Sequence, residues 1–296
     1  MKRKNITYYL LLGMVALSGN SCVRDEILPC PPLQVNIEVK DKNYFNVDKV
    51  ELEDKLPEDL AFRAYIPTLH YTLRDAATGR VVAEQGIFRV DSDEKSYPVT
   101  FSDSLPHGKY ILTVWGGADK QTPLSDDHSS VAFHPDHTEG NDLYLTNDTL
   151  EYDAWNYAYT VDMERTKGKL IVEASGLPQN TSRSTQSIDG LYGQTDCHFQ
   201  YTGTTTVRTE TQWEKPTENV TKTLLAPSRE KDGSKLKVNF LDAAGMEIPG
   251  VQPKPVNITL KRNELTVLRY VYDGDKFTIY ILVNDNWEEI HGMEID

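Results

Sequence analysis

The sequence predicts an all-β protein built as two β-sandwich domains in tandem. Three observations carry that expectation. Apolar and polar residues alternate with period two in segment after segment, the pattern of half-buried strands. Turn residues interrupt these segments at short intervals, as sandwiches require. The chain, at 296 residues, is long enough for two domains of ordinary size, and helical spacing is confined to 50–60, where Leu52, Leu56 and Leu60 recur every fourth residue.

The first strand is Leu33-Gln34-Val35-Asn36-Ile37-Glu38-Val39, strictly alternating. Leu69, Tyr71 and Leu73 mark a second, and Asp75 to Gly79 turn the chain into a returning strand at 80–83. Tyr97, Val99 and Phe101 continue the pattern. Leu105-Pro106-His107-Gly108 is a turn into a strand at 110–115, stopped by Gly116-Gly117. Residues 118–141 are rich in Asp, His, Ser, Thr and Pro, and read as a surface loop. The first domain is expected to close near Tyr152 to Tyr159, giving domains at 33–158 and 159–296.

The second half repeats the texture without repeating the sequence. Strands are expected at 169–174, ended by Gly176, at 199–201 and 207–211 through their threonine and aromatic content, and at 236–240 after Asp232-Gly233. Val256, Ile258 and Leu260 alternate. The strongest hairpin signal joins 265–272 to 276–283 through Asp273-Gly274, which supplies the positive φ a tight turn needs.

The N-terminus carries Lys2, Arg3 and Lys4, an apolar run at 8–17, then Ser18-Gly19-Asn20-Ser21 and Cys22. The run is too short to span a bilayer, which takes roughly 18 apolar residues or more. It reads as a secretory signal at 1–21, and its terminal cysteine makes it look like a bacterial lipoprotein signal. Cys22 would then be acylated and begin the exported chain, with 22–32 a tether stiffened by Pro29, Pro31 and Pro32. The formal net charge of −14 becomes more negative once the three basic residues are removed, which argues against nucleic acid as a partner. Cys30 and Cys197 remain, and an exported compartment permits but does not require their pairing.

Cys30-Pro31-Pro32-Leu33 with Val35, just downstream of the lipidated cysteine, resembles the FimB-type fimbrial anchor lipoproteins (minor fimbrillins) of Bacteroidales. Leu105-Pro106-x-Gly108-x-Tyr110-x-Leu112-x-Val114-Trp115-Gly116 is similar to that family's signature strand. Tyr71-x-Leu73-x-Asp75 with Thr78-Gly79 resembles its preceding hairpin, and Met163-Glu164-Arg165 followed by Lys169-Leu170-x-Val172 resembles the opening of its second domain. The resemblance implies two transthyretin-like sandwiches and a lipid-anchored outer-membrane lipoprotein; of the two faces open to it, periplasmic and external, the acidic-leaning start Arg24-Asp25-Glu26 favours surface exposure. It implies a structural role: holding a fimbria to the cell, limiting its length, and partnering the fimbrillins of the stalk.

In such strand-exchange polymers an apolar groove and an unpaired sheet edge receive a neighbour's strand. An anchor that keeps its own first strand would leave no groove for a further subunit. The C-terminal segment, with Trp287, Ile290, Met293 and Ile295 among polar residues, is the candidate partner-binding element; its alternative is a self-packed tail.

A second hypothesis is glycan binding at the surface, from the aromatic cluster Tyr152, Trp155, Tyr157 and Tyr159; exposed coplanar rings would stack on sugars, whereas buried rings would pack between domains. His128, His134, Asp136 and His137 could hold a metal, but their spacing fits no standard site, so a solvated loop is expected. No Gly-x-Ser-x-Gly, His-Glu-x-x-His or phosphate-binding glycine loop is present, so neither catalysis nor a cofactor is expected.

Overall fold

The computed structural model describes residues 31–213, 218–283 and 286–290. The first half carries β1 (Gln34–Val39), β2 (Thr68–Asp75), β3 (Val81–Arg89), β4 (Tyr97–Thr100), β5 (Gly108–Gly116), β6 (Ser130–Ala132), β7 (Tyr144–Tyr152) and β8 (Ala158–Arg165). The second carries β9 (Gly168–Ser175), β10 (Arg183–Leu191), β11 (Gln194–Asp196), β12 (Tyr201–Thr202), β13 (Thr205–Gln212), β14 (Glu218–Leu225), β15 (Ser234–Leu241), β16 (Val256–Ile258), β17 (Leu265–Tyr272), β18 (Phe277–Val283) and β19 (Asn286–Glu289). The all-β expectation holds. Among the described residues no helix is long and apolar enough to cross a membrane.

Alternation places the side chains. In β1, Val35, Ile37 and Val39 point inward and Gln34 and Glu38 outward; in β15, Leu236, Val238 and Phe240 are buried between exposed Lys235 and Lys237. The order in the first half is β3-β2-β5-β7, continuing through β8 to β1 and β4. β7 and β8 pair only at Tyr144–Arg165 and Leu145–Glu164, so the sheet folds there into two layers. Between the layers lies one apolar cluster, with Leu69, Leu73, Leu112 and Val114 meeting Val35, Ile37, Val99 and Met163.

The second half repeats this pairing scheme. The order β13-β10-β15-β16 matches β3-β2-β5-β7, and β14-β9-β17 matches β4-β1-β8. Even the parallel pairing recurs, β1 with β8 and β9 with β17. A second cluster, including Leu170, Val172, Ile188, Val238, Phe240, Leu268 and Tyr270, fills the layer between. Two additions have no counterpart among the described strands of the first half: β18 and β19 extend the second sheet beyond β17, and β11 and β12 form a small separate sheet with β6.

Two sequence expectations are overturned. Residues 50–60 form no helix. Instead Tyr44, Val47 and Val50 pack on Ile171, Leu265 and Val267, so that 44–53 straps the outer face of β9 and β17. Asn46 clamps the strap by donating its amide to the Leu265 carbonyl and accepting the Leu265 N–H, each at 2.9 Å. Glu53 receives Lys169 at 2.5 Å and Lys222 at 2.8 Å. The leucine spacing therefore reflects tertiary docking; the short helix lies nearby at Phe62–Tyr65.

Residues 118–141 are not a surface loop. β6 pairs antiparallel with β11, Phe133 is fully buried and stacks on Tyr201 with ring centroids 5.6 Å apart, and Thr122 and His134 are buried. Lys167, fully buried at the changeover between the halves, donates Nζ to the carbonyls of Phe133 at 2.8 Å and Glu139 at 2.9 Å. The buried polar groups of this segment are satisfied internally, as buried polar groups must be, while Lys120, Asp126, Asp127, Asp136 and His137 stay exposed.

Candidate docking surface

Two features set the geometry at which another chain could add. The first is the seat of β1. It lies between β4 and β8, paired antiparallel from Gln34–Thr100 to Ile37–Tyr97 and parallel from Gln34–Ala158 to Val39–Met163. Leu33 and Ile37 are fully buried and Val35 nearly so. Burying such side chains stabilises by about 1.5–3 kcal/mol each. The chain thus fills the central position of this layer with its own strand.

The second feature is the β18–β19 extension. The predicted hairpin forms, with β17 and β18 paired from Leu268–Ile281 to Tyr272–Phe277. Its loop is 273–276, one residue longer than the strand bounds read from sequence leave: the Asp273 carboxylate accepts the N–H groups of Asp275 and Lys276, and Lys276 belongs to the turn. β19 pairs with β18 on one side, from Tyr280–Glu289 to Val283–Asn286; among the described residues its other edge carries no strand. All four β19 side chains are exposed.

Trp287 stands on this edge with the Arg269 guanidinium 4.1 Å from its ring centroid, and Arg269 in turn donates Nε to Glu173 at 2.5 Å. The guanidinium covers one face of the ring, which stays 36% exposed. Ile290 turns the other way. Its N–H donates to the Ile279 carbonyl at 2.8 Å and its side chain packs on the second core. Beside it a groove of about 460 Å³ has Pro253, Pro255, Phe277, Ile279 and Ile290 on its walls together with the charged Lys254, Asp275, Lys276 and Glu289. An open strand edge can accept an added strand, and a groove of mixed polarity beside it can take that strand's alternating side chains.

Of the four tail residues predicted, Trp287 and Ile290 thus occupy this surface, one outward and one inward; Met293 and Ile295 lie outside the described residues, as do Cys22 and Cys30. Cys197 is a free, half-buried thiol. The groove wall at 252–255 and the Arg269 platform were not singled out from sequence, because only the sheet pairing brings them to the tail.

The aromatic cluster separates. Tyr152 is buried, Tyr157 and Tyr159 pack against the first core, and Trp155 is 89% exposed. Neither the coplanar exposed set nor the buried interdomain set is found. The Tyr159 hydroxyl bridges the gap where β7 and β8 diverge, donating to the Glu151 carbonyl at 2.6 Å and accepting its N–H at 3.1 Å. That gap is a polar cleft of about 410 Å³ lined in part by Asn147, Asp148, Thr160 and Asp162, with Phe199 on its wall.

The histidines predicted to share a solvated loop also part company. His134 is buried, and His137 lies with Nδ1 3.0 Å from the Thr206 carbonyl. Only His128 faces other metal-ligating groups, His70 and Glu84.

No protein-family model matches the chain, and no curated protein matches it. Solved structures do. A candidate adhesin of Bacteroides ovatus matches with TM-score 0.59 at 15% identity, covering 91% of this chain and 98% of its own. A candidate polysaccharide-binding protein of Bacteroides thetaiotaomicron matches with TM-score 0.58 at 13% identity, covering 88% and 99%. A fimbrial assembly protein of Parabacteroides distasonis matches with TM-score 0.50 at 10% identity, covering 87% and 97%. At these identities the similarity establishes a shared fold over nearly the whole length.

Proposed function

We propose that this chain is the lipid-anchored terminal subunit of a fimbria, acylated at Cys22, held in the outer membrane and exposed at the cell surface. It holds the stalk to the cell and, by ending the polymer, limits stalk length. The observation that carries this reading is the seating of β1 between β4 and β8. A subunit whose central strand position is filled by its own chain offers no groove there to a further neighbour. The β19 edge then serves as the single site for one stalk subunit, with Trp287 and Ile290, and the tail residues Met293 and Ile295, as its contacts. The organisation is two sandwiches; β8 completes the first by pairing with β1, so the changeover falls at Thr166–Lys167, beyond the division at 158/159 read from sequence. The shared fold with a fimbrial assembly protein and with a candidate adhesin supports the assignment, and the role is structural rather than catalytic.

The experiment is a Cys22→Ala variant in cells that make the fimbriae. The reading expects fimbriae shed into the medium. Fimbriae retained on the cell at wild-type level contradict it.

Glycan binding is the second reading, favoured by the exposed Trp155 and the polar cleft between β7 and β8. It predicts that Trp155→Ala or Asp148→Ala abolishes retention on immobilised surface polysaccharide; a wild-type chain with no retention removes it.

A further inference from the structure

Outside the docking surface, three side chains far apart in sequence converge at one point. His70 lies on β2, Glu84 on β3 and His128 in the segment leading to β6. The His70 Nε2 is 3.5 Å from Glu84 Oε1, and the His128 Nδ1 is 2.7 Å from the same oxygen. The two imidazole rings lie side by side with centroids 4.4 Å apart and planes tilted by 58°. All three ligand atoms lie within 4.8 Å of one another.

We propose that His70, Glu84 and His128 form a binding site for a divalent transition cation of the zinc class. Two imidazole nitrogens and one carboxylate oxygen are the donor set such ions take, and they discriminate against magnesium and calcium, which prefer oxygen alone. A four-coordinate ion with bonds of about 2.0–2.2 Å needs donor atoms roughly 3.3–3.5 Å apart. The His70–Glu84 spacing already meets this. Glu84 and His128 are at hydrogen-bond distance, and the ion would replace the proton they share. Both are partly exposed while His70 is buried, so the site opens to solvent on one side and a water can complete the coordination.

The fold holds the three groups in place. Glu84 pairs across from Thr72, which puts it on the same face as His70 one strand away. The β2–β3 register shifts between Leu69 and Tyr71, and such bulges re-aim the side chains beside them. His128 sits in a turn tied by its N–H to the Ser125 carbonyl at 2.8 Å, and its own carbonyl accepts the Trp115 indole N–H at 3.1 Å. The His70 Nδ1 is buried without a partner. It is an unpaired acceptor when Nε2 donates to Glu84 and an unpaired donor when Nε2 ligates a metal, so that orphan weighs on both states alike. An ion here would tie the β2–β3 hairpin to the segment that also carries β6 and His134.

The test titrates the full chain in detergent, first stripped with a chelator, with Co2+ alone and then Zn2+, beside His128→Ala and Glu84→Gln. These two residues are partly exposed, so each variant is expected to keep the wild-type melting midpoint in chelator. The proposal expects one equivalent of Co2+ with the visible band of a four-coordinate ion, displaced by Zn2+, and quenching of Trp115. Outer-shell changes alone weaken metal sites about 10–100-fold, and loss of either ligand should exceed that. No visible band in the wild type, or binding that survives either substitution, overturns it.

Discussion

His134 accepts the backbone N–H of Ala226 on Nε2 at 2.9 Å, across 92 residues of sequence. Its Nδ1 lies 2.9 Å from the carbonyls of both Thr138 and Glu139 and so carries the proton. A ring that donates at one nitrogen and accepts at the other is neutral. Burial, and then the nearby Lys167 charge, pushes its pKa down to about 3.

That contact makes stability depend on pH. The unfolded ring binds a proton at about 6.5, while the folded ring stays neutral down to about 3. Between these values the unfolded chain holds more protons, so stability is lost as pH falls below 6.5. At pH 4.5 the loss due to His134 is about 2–3 kcal/mol. Denaturant titrations at pH 7 and 4.5 should show a smaller drop for His134→Gln than for the wild type.

Gly117 holds a close approach. Its φ is +82°, and a Cβ there would stand 2.0 Å from the Asp142 carbonyl oxygen. Gly117→Ala is expected to cost about 3 kcal/mol or more, through strain and displacement of that backbone. Gly86→Ala, with nothing within 4 Å of the added methyl, should change the melting midpoint far less.

Lys167 is anchored to two carbonyls rather than to a carboxylate. Lys167→Met keeps the length of the side chain but leaves the Phe133 carbonyl without its side-chain donor, while the Glu139 carbonyl keeps the His134 Nδ1–H. The orphan costs about 1–3 kcal/mol, less whatever is recovered by not burying an ammonium. A net destabilisation of about 1 kcal/mol is expected from chemical denaturation.

A peptide copy of 33–39 should not bind the intact chain, because β1 already occupies its seat. The same peptide should bind a chain lacking that segment and raise its melting midpoint. Equal binding to both would show that the strand exchanges freely, contrary to a polymer-ending subunit.

The elements most legible in the sequence were those whose side chains face one core. β1 followed from Val35, Ile37 and Val39, and the β17–β18 hairpin from Asp273-Gly274. The strap at 44–53 was not legible, because Val47 and Val50 are placed by β9 and β17 rather than by their own periodicity. Residues 118–141 misled for the opposite reason. Their Asp, His and Ser residues bond to one another and to distant backbone, as with Asp127, whose carboxylate accepts the Ser125 and Ser129 hydroxyls. The docking surface was half legible. Trp287 and Ile290 could be singled out by composition, but Arg269 beneath the indole and Pro253 and Pro255 in the groove are brought there by the sheet. Glu84 and His70 were missed because 14 residues and a bulged hairpin separate them.

The central claim is that one fimbrial neighbour docks on the β18–β19 edge of a chain whose own first strand is already seated. It is tested most directly by recovering stalk subunits from detergent-solubilised outer membranes with the full lipidated chain as bait. Trp287→Ala and a chain ending at Val283 are run beside it, with melting midpoints measured for all three. Removing the Trp287–Arg269 stack alone should cost about 0.5–1 kcal/mol of stability. The account predicts that the wild type recovers a fimbrial subunit and that both variants lose most of it while remaining folded. Undiminished recovery by the folded variants would contradict it.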